Sequence, residues 1–178
     1  MLIACKYEEI YAPEIRDFVY MTDKAYTKEQ ILLMERDVLT SLDFNITSPS
    51  AYRFVERYIK LSSSDDLIMN FSRYIIELTL IETSMYKWRT SLIAASAVYV
   101  ARKVLKRLHP WSEFMKEQTS YDEKMVRSCA KDLCIILYNA SKLSDYKSIL
   151  KKYSMPRFME VSKICCAPDS KATSQNSQ

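Results

Sequence analysis

An all-α fold is predicted by three features of this 178-residue chain. It contains no glycine at all, so tight two-residue hairpins lose the residue that best tolerates their positive φ angles. Its apolar residues recur at three- and four-residue spacing rather than alternating, as amphipathic helices require. That pattern also repeats: Leu2-Ile3-Ala4 returns as Leu92-Ile93-Ala94 ninety residues on, and Ile31, Leu32, Leu39 and Leu42 return ninety-four residues on as Met125, Val126, Leu133 and Ile136. Two copies of one helical unit are therefore expected. In this register Lys6 falls opposite Ser96, Tyr7 opposite Ala97, and Glu35 opposite Cys129, so only the first copy carries charges within the shared core pattern.

The elements follow in order. Met1 to Ile10 reads as the later turns of a helix, with Leu2, Ile3, Tyr7 and Ile10 on one side and Lys6 within it. No capping residue precedes it, so the chain is expected to begin inside an element. After Ala12-Pro13, a short helix spans Glu14 to Met21 with Ile15, Phe18 and Val19 inward. Thr27 and Gln30 form a capping-box pattern that opens a helix to about Asp43, with Ile31, Leu32, Val38, Leu39 and Leu42 inward and Glu35 on the same side. Asn45 to Ser50 is a linker. Ser48-Pro49 opens the next helix as N-cap and first-turn proline, with Tyr52, Val55, Tyr58, Ile59 and Leu61 on its core side.

Ser64 or Asp65 caps a helix to about Glu82, on which Leu67, Ile68, Phe71, Ile75, Leu78 and Leu80 are apolar. From Trp88 to Arg107 a helix is apolar nearly all round between Leu92 and Ala101, the mark of an enclosed central element. Pro110 opens a short helix holding Trp111, Phe114 and Met115. Ser120 caps a long one through Tyr138, with Met125, Val126, Cys129, Leu133, Ile136 and Leu137 inward. A last helix covers about Leu143 to Tyr153; Phe158, Met159 and Val161 are expected in a docked extended segment, and a polar tail, expected to be disordered, follows from Ala167.

Composition narrows the chemistry. The absence of glycine excludes glycine-rich phosphate loops. The formal charge of +4 is the balance of 26 basic and 22 acidic residues spread along the chain, which does not point to nucleic acid. No uncharged run approaches the ~18 residues that span a bilayer, and Lys6, Glu8 and Glu9 interrupt the first apolar run as no cleavable signal would. A soluble, intracellular protein is expected. Its five cysteines include no Cys-x-x-Cys pair and its one histidine is His109, so reduced thiols are expected, with Cys5, Cys129 and Cys134 as small core residues and no metal or cofactor site. Glu8 and Glu9 are neighbours that point apart on a helix, and no catalytic constellation emerges. Lys6 and Glu35 remain as two charges on apolar faces. Either they pair with each other, or both face a partner helix that they orient.

The run Lys6-Tyr7-Glu8-Glu9-Ile10-Tyr11-Ala12-Pro13-Glu14, with Asp17-Phe18-Val19-Tyr20-Met21-Thr22-Asp23, Tyr26-Thr27-Lys28 and Met34-Glu35, resembles the mitotic cyclins of the A/B group, the B type being nearer. The resemblance extends from Met1 to about Lys163. It implies tandem cyclin boxes: residues 1–47 as the C-terminal part of a first box, 48–141 as the second, 142–166 as a C-terminal helix and docked segment, and 167–178 as the tail. The family's first helices, with their substrate-docking Met-Arg-Ala-Ile-Leu helix, do not occur in this sequence. The implied function is that of a non-enzymatic regulatory subunit of a cyclin-dependent protein kinase at G2/M, in nucleus and cytoplasm. By match, Lys6 and Glu35 contact the kinase's mobile regulatory helix, and Ile3, Tyr7, Leu39, Phe44 and Ile46 enclose its central isoleucine. Ala12 stands where a second proline is common and Cys5 where serine is usual. An inactive or dominant-negative fragment and a transcription-type cyclin-box protein are the alternatives.

Overall fold

The computed structural model describes residues 1–140 and 142–164, which are helical with no strand among them. Cys165, Cys166 and the tail from Ala167 lie outside the described residues. The chain divides into two compact units, one ending at Ser48 and one beginning at Pro49.

The first unit holds α1 (Leu2–Glu8), α2 (Ile15–Met21) and α3 (Lys28–Ser41). The capping box of α3 forms as the sequence requires: Thr27 Oγ1 accepts from Gln30 N at 3.3 Å and Gln30 Oε1 accepts from Thr27 N at 2.8 Å. Glu14 N donates to Asp17 Oδ2 at the start of α2 in the same way. Only Leu2 and Phe18 of this unit are buried. The inward expectation for α3 is corrected here, since Leu32, Val38 and Leu42 are exposed and no α3 residue is buried. Ile10 is likewise exposed, because α1 ends at Glu8. Two seven-residue helices are too short to cover a fourteen-residue one.

The second unit holds α4 (Ala51–Leu61), α5 (Asp66–Thr79), α6 (Thr90–Val104), α7 (Glu113–Thr119), α8 (Glu123–Ala140) and α9 (Lys147–Tyr153). Helix α6 is its axis: ten consecutive residues, Leu92 to Ala101, are buried between α4, α5 and α8. Its alanines keep backbones close, while Phe71, Ile75, Leu78, Val126 and Leu133 fill the space around them. Within the repeat, α1, α2 and α3 correspond to α6, α7 and α8. The first unit has no element that corresponds to α4 and α5, which explains why the faces sealed in α6 and α8 are open in α1 and α3.

Several element boundaries differ from the sequence reading. Helix α4 starts at Ala51, after Ser50 rather than Ser48. Helix α5 ends at Thr79, which leaves Leu80 exposed. Ser120 does not cap α8; it closes α7 in the left-handed conformation, φ 59°, and Asp122 Oδ1 accepts from Met125 N at 2.7 Å instead. Ser112, not Pro110, caps α7 through Met115 N. Trp111 therefore precedes that helix, and Phe114 and Met125 are exposed. The segment after α9 forms short 3-10 turns rather than an extended strand, with Val161 buried and Met159 exposed. Of the cysteines, Cys129 is buried, Cys5 partly so, and Cys134 exposed.

The absence of glycine has a structural counterpart. Ten described residues adopt positive φ, and four helices close with the paired bonds of a Schellman motif on a residue other than glycine. The left-handed positions are Asp23 after α2, Asp43 after α3, Ser63 after α4 and Lys106 after α6. At each, the next residue's N–H returns to a carbonyl five back: Lys24 to Val19 at 3.0 Å, Phe44 to Leu39 at 2.9 Å, Ser64 to Ile59 at 3.1 Å and Arg107 to Arg102 at 2.8 Å.

Candidate functional site

The sequence-predicted residues come together on the first unit. Lys6 leaves α1 four residues after Leu2, whose burial fixes that helix's rotation. Its Nζ donates to both oxygens of Glu35 on α3, at 2.7 and 2.9 Å. The two side chains are 50% and 14% exposed, so the carboxylate is shielded while the ammonium stays half in water. Of the two readings of these charges, the mutual pair is what the structure shows; the outward-facing Lys6 head remains available to a second acceptor, since an ammonium carries three donors.

The apolar residues sit around this pair by simple geometry. Ile3 lies one turn before Lys6 and Leu39 one turn after Glu35, both partly buried. Tyr7 is 49% exposed, and its hydroxyl donates to Thr47 Oγ1 at 2.9 Å, which ties α1 to the segment after α3. The Schellman closure of α3 brings Phe44 back over Leu39 through their 2.9 Å backbone bond. Phe44, at φ 55°, is held in a conformation unfavourable for a bulky side chain, and it is 67% exposed. Ile46 N then donates to Phe44 O at 3.0 Å, and Ile46 is also exposed. The result is an open apolar surface with a fixed ion pair in it.

Thr47 and the left-handed Asp43 were not legible as part of this surface. The phenol of Tyr7 was the available signal, since a tyrosine hydroxyl between helices calls for a partner.

The equivalent positions of the second unit carry another chemistry. Ser96 and Cys129, equivalent to Lys6 and Glu35, are both buried, and Ser96 Oγ donates to Val126 O at 3.1 Å. Burial pushes the Cys129 thiol up to about 11. Among the described residues no group of three potential ligands could hold a metal, and no helix is long and apolar enough to cross a membrane.

Residues 49–167 match the family described as Cyclin, C-terminal domain, and residues 1–47 match Cyclin, N-terminal domain. The chain belongs to the cyclin family. It is 40% identical to Cyclin-B1-1 of Oryza sativa subsp. japonica, over 86% of this chain and 35% of that protein. To Cyclin-B1-4 of Arabidopsis thaliana it is 42% identical, over 90% of this chain and 42% of that protein. To the G2/mitotic-specific cyclin-B of Dictyostelium discoideum it is 36% identical, over 92% and 38%. This cyclin thus spans about two fifths or less of the length of these relatives, and its similarity to the B type agrees with the resemblance drawn from Lys6 to Glu35.

Proposed function

We propose that this cyclin is a regulatory subunit, without catalysis of its own, that binds and activates a cyclin-dependent protein kinase in control of G2/M, in nucleus and cytoplasm. The reading takes residues 1–47 as the C-terminal part of a first cyclin box, 48–141 as a second, and 142–166 as a C-terminal helix and docked segment. The observation that carries it is the Lys6–Glu35 pair, ordered and half exposed in a surface whose neighbours Tyr7 and Phe44 are large, apolar and open to water. Isolated surface pairs contribute little to stability, and exposed aromatics beside them serve recognition better than folding. Ile3, Tyr7, Leu39, Phe44 and Ile46 enclose an apolar residue of the kinase's mobile regulatory helix, and Lys6 and Glu35 fix its orientation. Held inward, that helix places its glutamate against the ATP-orienting lysine.

A charge-swapped chain tests the reading. Lys6→Glu with Glu35→Lys keeps an internal pair but reverses its polarity. Kinase affinity is expected to fall ~10- to 100-fold, about 1.4–2.8 kcal/mol, and Phe44→Ala to lower it as well. Wild-type affinity in the swapped chain refutes the assignment of the two charges.

A second reading, occupation of the kinase without activation, is favoured by one observation, the absence of any buried residue on α3. Phosphorylation of a peptide substrate by the purified complex separates the two: bound kinase without turnover supports the second.

A further inference from the structure

The α4–α5 connection carries a cluster that kinase binding does not use. Three consecutive serines, Ser62-Ser63-Ser64, run into Asp65-Asp66. Ser62 and Ser64 are engaged: Ser62 Oγ donates to Ile59 O at 3.3 Å, the two hydroxyls lie 2.7 Å apart, and both residues are partly buried. Ser63 is exposed, sits at the left-handed tip of the Schellman closure with φ 46°, and its hydroxyl has no side-chain partner among the described residues.

Two arginines, Arg102 in the last turn of α6 and Arg107 just beyond its end, reach this loop from across the fold. Arg102 Nη1 donates to Ser62 O at 3.3 Å and to Ser64 Oγ at 2.9 Å, so the guanidinium brackets Ser63 on both sides. Its Nη2 donates to His109 O at 3.4 Å, which leaves two of its five N–H groups uncommitted. Arg107 pairs with Asp65 Oδ2, while Asp65 Oδ1 caps α5 through Ile68 N at 3.0 Å. With Lys60, Lys103 and Lys106 nearby in sequence on the same elements, cations outnumber the carboxylates of Asp65 and Asp66. An exposed hydroxyl followed by carboxylates two and three residues on, with one guanidinium bonded to the residues on either side of it and a second to Asp65, is the arrangement in which an added dianion gains charge-assisted bonds.

We propose that Ser63 is a phosphorylation site for an acid-directed protein kinase and that Arg102 and Arg107 hold the phosphate. Ser63 Oγ attacks the γ-phosphorus of ATP, the Oγ–P bond forms as the bond from the γ-phosphorus to the β,γ-bridging oxygen breaks, ADP leaves, and the hydroxyl proton passes to the kinase's base. Asp66, exposed and free of a cap, is the carboxylate that the kinase reads. The phosphate then joins the tip of the α4–α5 loop to the end of α6.

The test uses the full chain, a purified acid-directed kinase such as casein kinase 2, and ATP, with sites mapped by peptide mass spectrometry. Incorporation at Ser63 that Ser63→Ala abolishes and Asp66→Asn slows several-fold supports the site; labelling confined to other residues, or at Ser63 only in urea, overturns it. Phosphorus NMR of the product then reads the phosphoserine's second ionisation. It is expected below the usual value of ~6 and back at it in Arg107→Gln, with Arg107→Lys intermediate. Equal titration in wild type and Arg107→Gln overturns the role of the arginine, and unchanged circular dichroism of both variants confirms that they are folded.

Discussion

Glu77 is the point at which α9 is fastened to α5, and its removal has a cost that can be worked out. Its carboxylate accepts from Lys152 Nζ at 3.0 and 2.7 Å and from Tyr153 Oη at 2.8 Å. Tyr153 is buried against Tyr74 and Phe158, with ring centroids 5.4 and 4.9 Å away. Glu77→Ala leaves the phenol without its acceptor, which costs about 1–3 kcal/mol. The ion pair, with side chains 41% and 26% exposed, adds ~0.5–1 kcal/mol after screening by solvent. A total of about 1.5–4 kcal/mol is a large share of the ~5–15 kcal/mol that stabilises a domain. Tyr153→Phe removes the donor together with its need for a partner, so a Glu77→Ala, Tyr153→Phe double variant is expected to lose at least ~1 kcal/mol less than the sum of the single losses. Urea unfolding followed by tryptophan fluorescence is the assay, because Trp88 and Trp111 both lie in the second unit. A Glu77→Ala chain within ~0.5 kcal/mol of wild type, or strict additivity in the double variant, refutes the reasoning.

Three further outcomes are expected. Leu133→Ala removes a fully buried side chain from the α6–α8 contact and should cost about 2–5 kcal/mol in the same urea assay. Lys106→Gly should stabilise the second unit by ~0.5 kcal/mol, seen as a higher urea midpoint, because glycine relieves a left-handed strain of about 1–2 kcal/mol while adding freedom to the unfolded chain. Alkaline pH should weaken the second unit: burial raises the Tyr58 and Tyr146 phenols to about 12, from an ordinary value of 10, and raises Tyr153 as well. The folded state then holds protons that the unfolded chain releases, so stability is full below pH 10 and falls as pH rises from 10 to 12; urea midpoints measured at pH 9 and pH 11 check this.

The helices of this cyclin were legible because their apolar periodicity is strong, and Thr27 and Asp65 cap as their types dictate. Ser120 misled because a serine serves two chemistries: here it closes α7 in the left-handed region, and the next suitable acceptor, Asp122, takes over the start of α8. Leu32 and Val38 could not be placed from periodicity, since a helical stripe marks which residues share a face but not whether anything covers it. Lys6 and Glu35 were legible as charges out of place in a core pattern. Their contact with each other was one of two readings left open, because spacing along two helices does not fix where the helices cross. The repeat carried more information than any single residue, as it set Lys6 opposite Ser96 and Glu35 opposite Cys129.

That equivalence bears on how the two units respond to a newcomer. Between α6 and α8 the joint is dry and closed, and a molecule could enter only by tearing helices apart. Between α1 and α3 the same joint is propped by a forked ion pair whose side chains have already given up much of their rotational freedom. A visitor there meets an ordered socket instead of two wandering chains, and the entropy cost of arranging them does not fall on its binding.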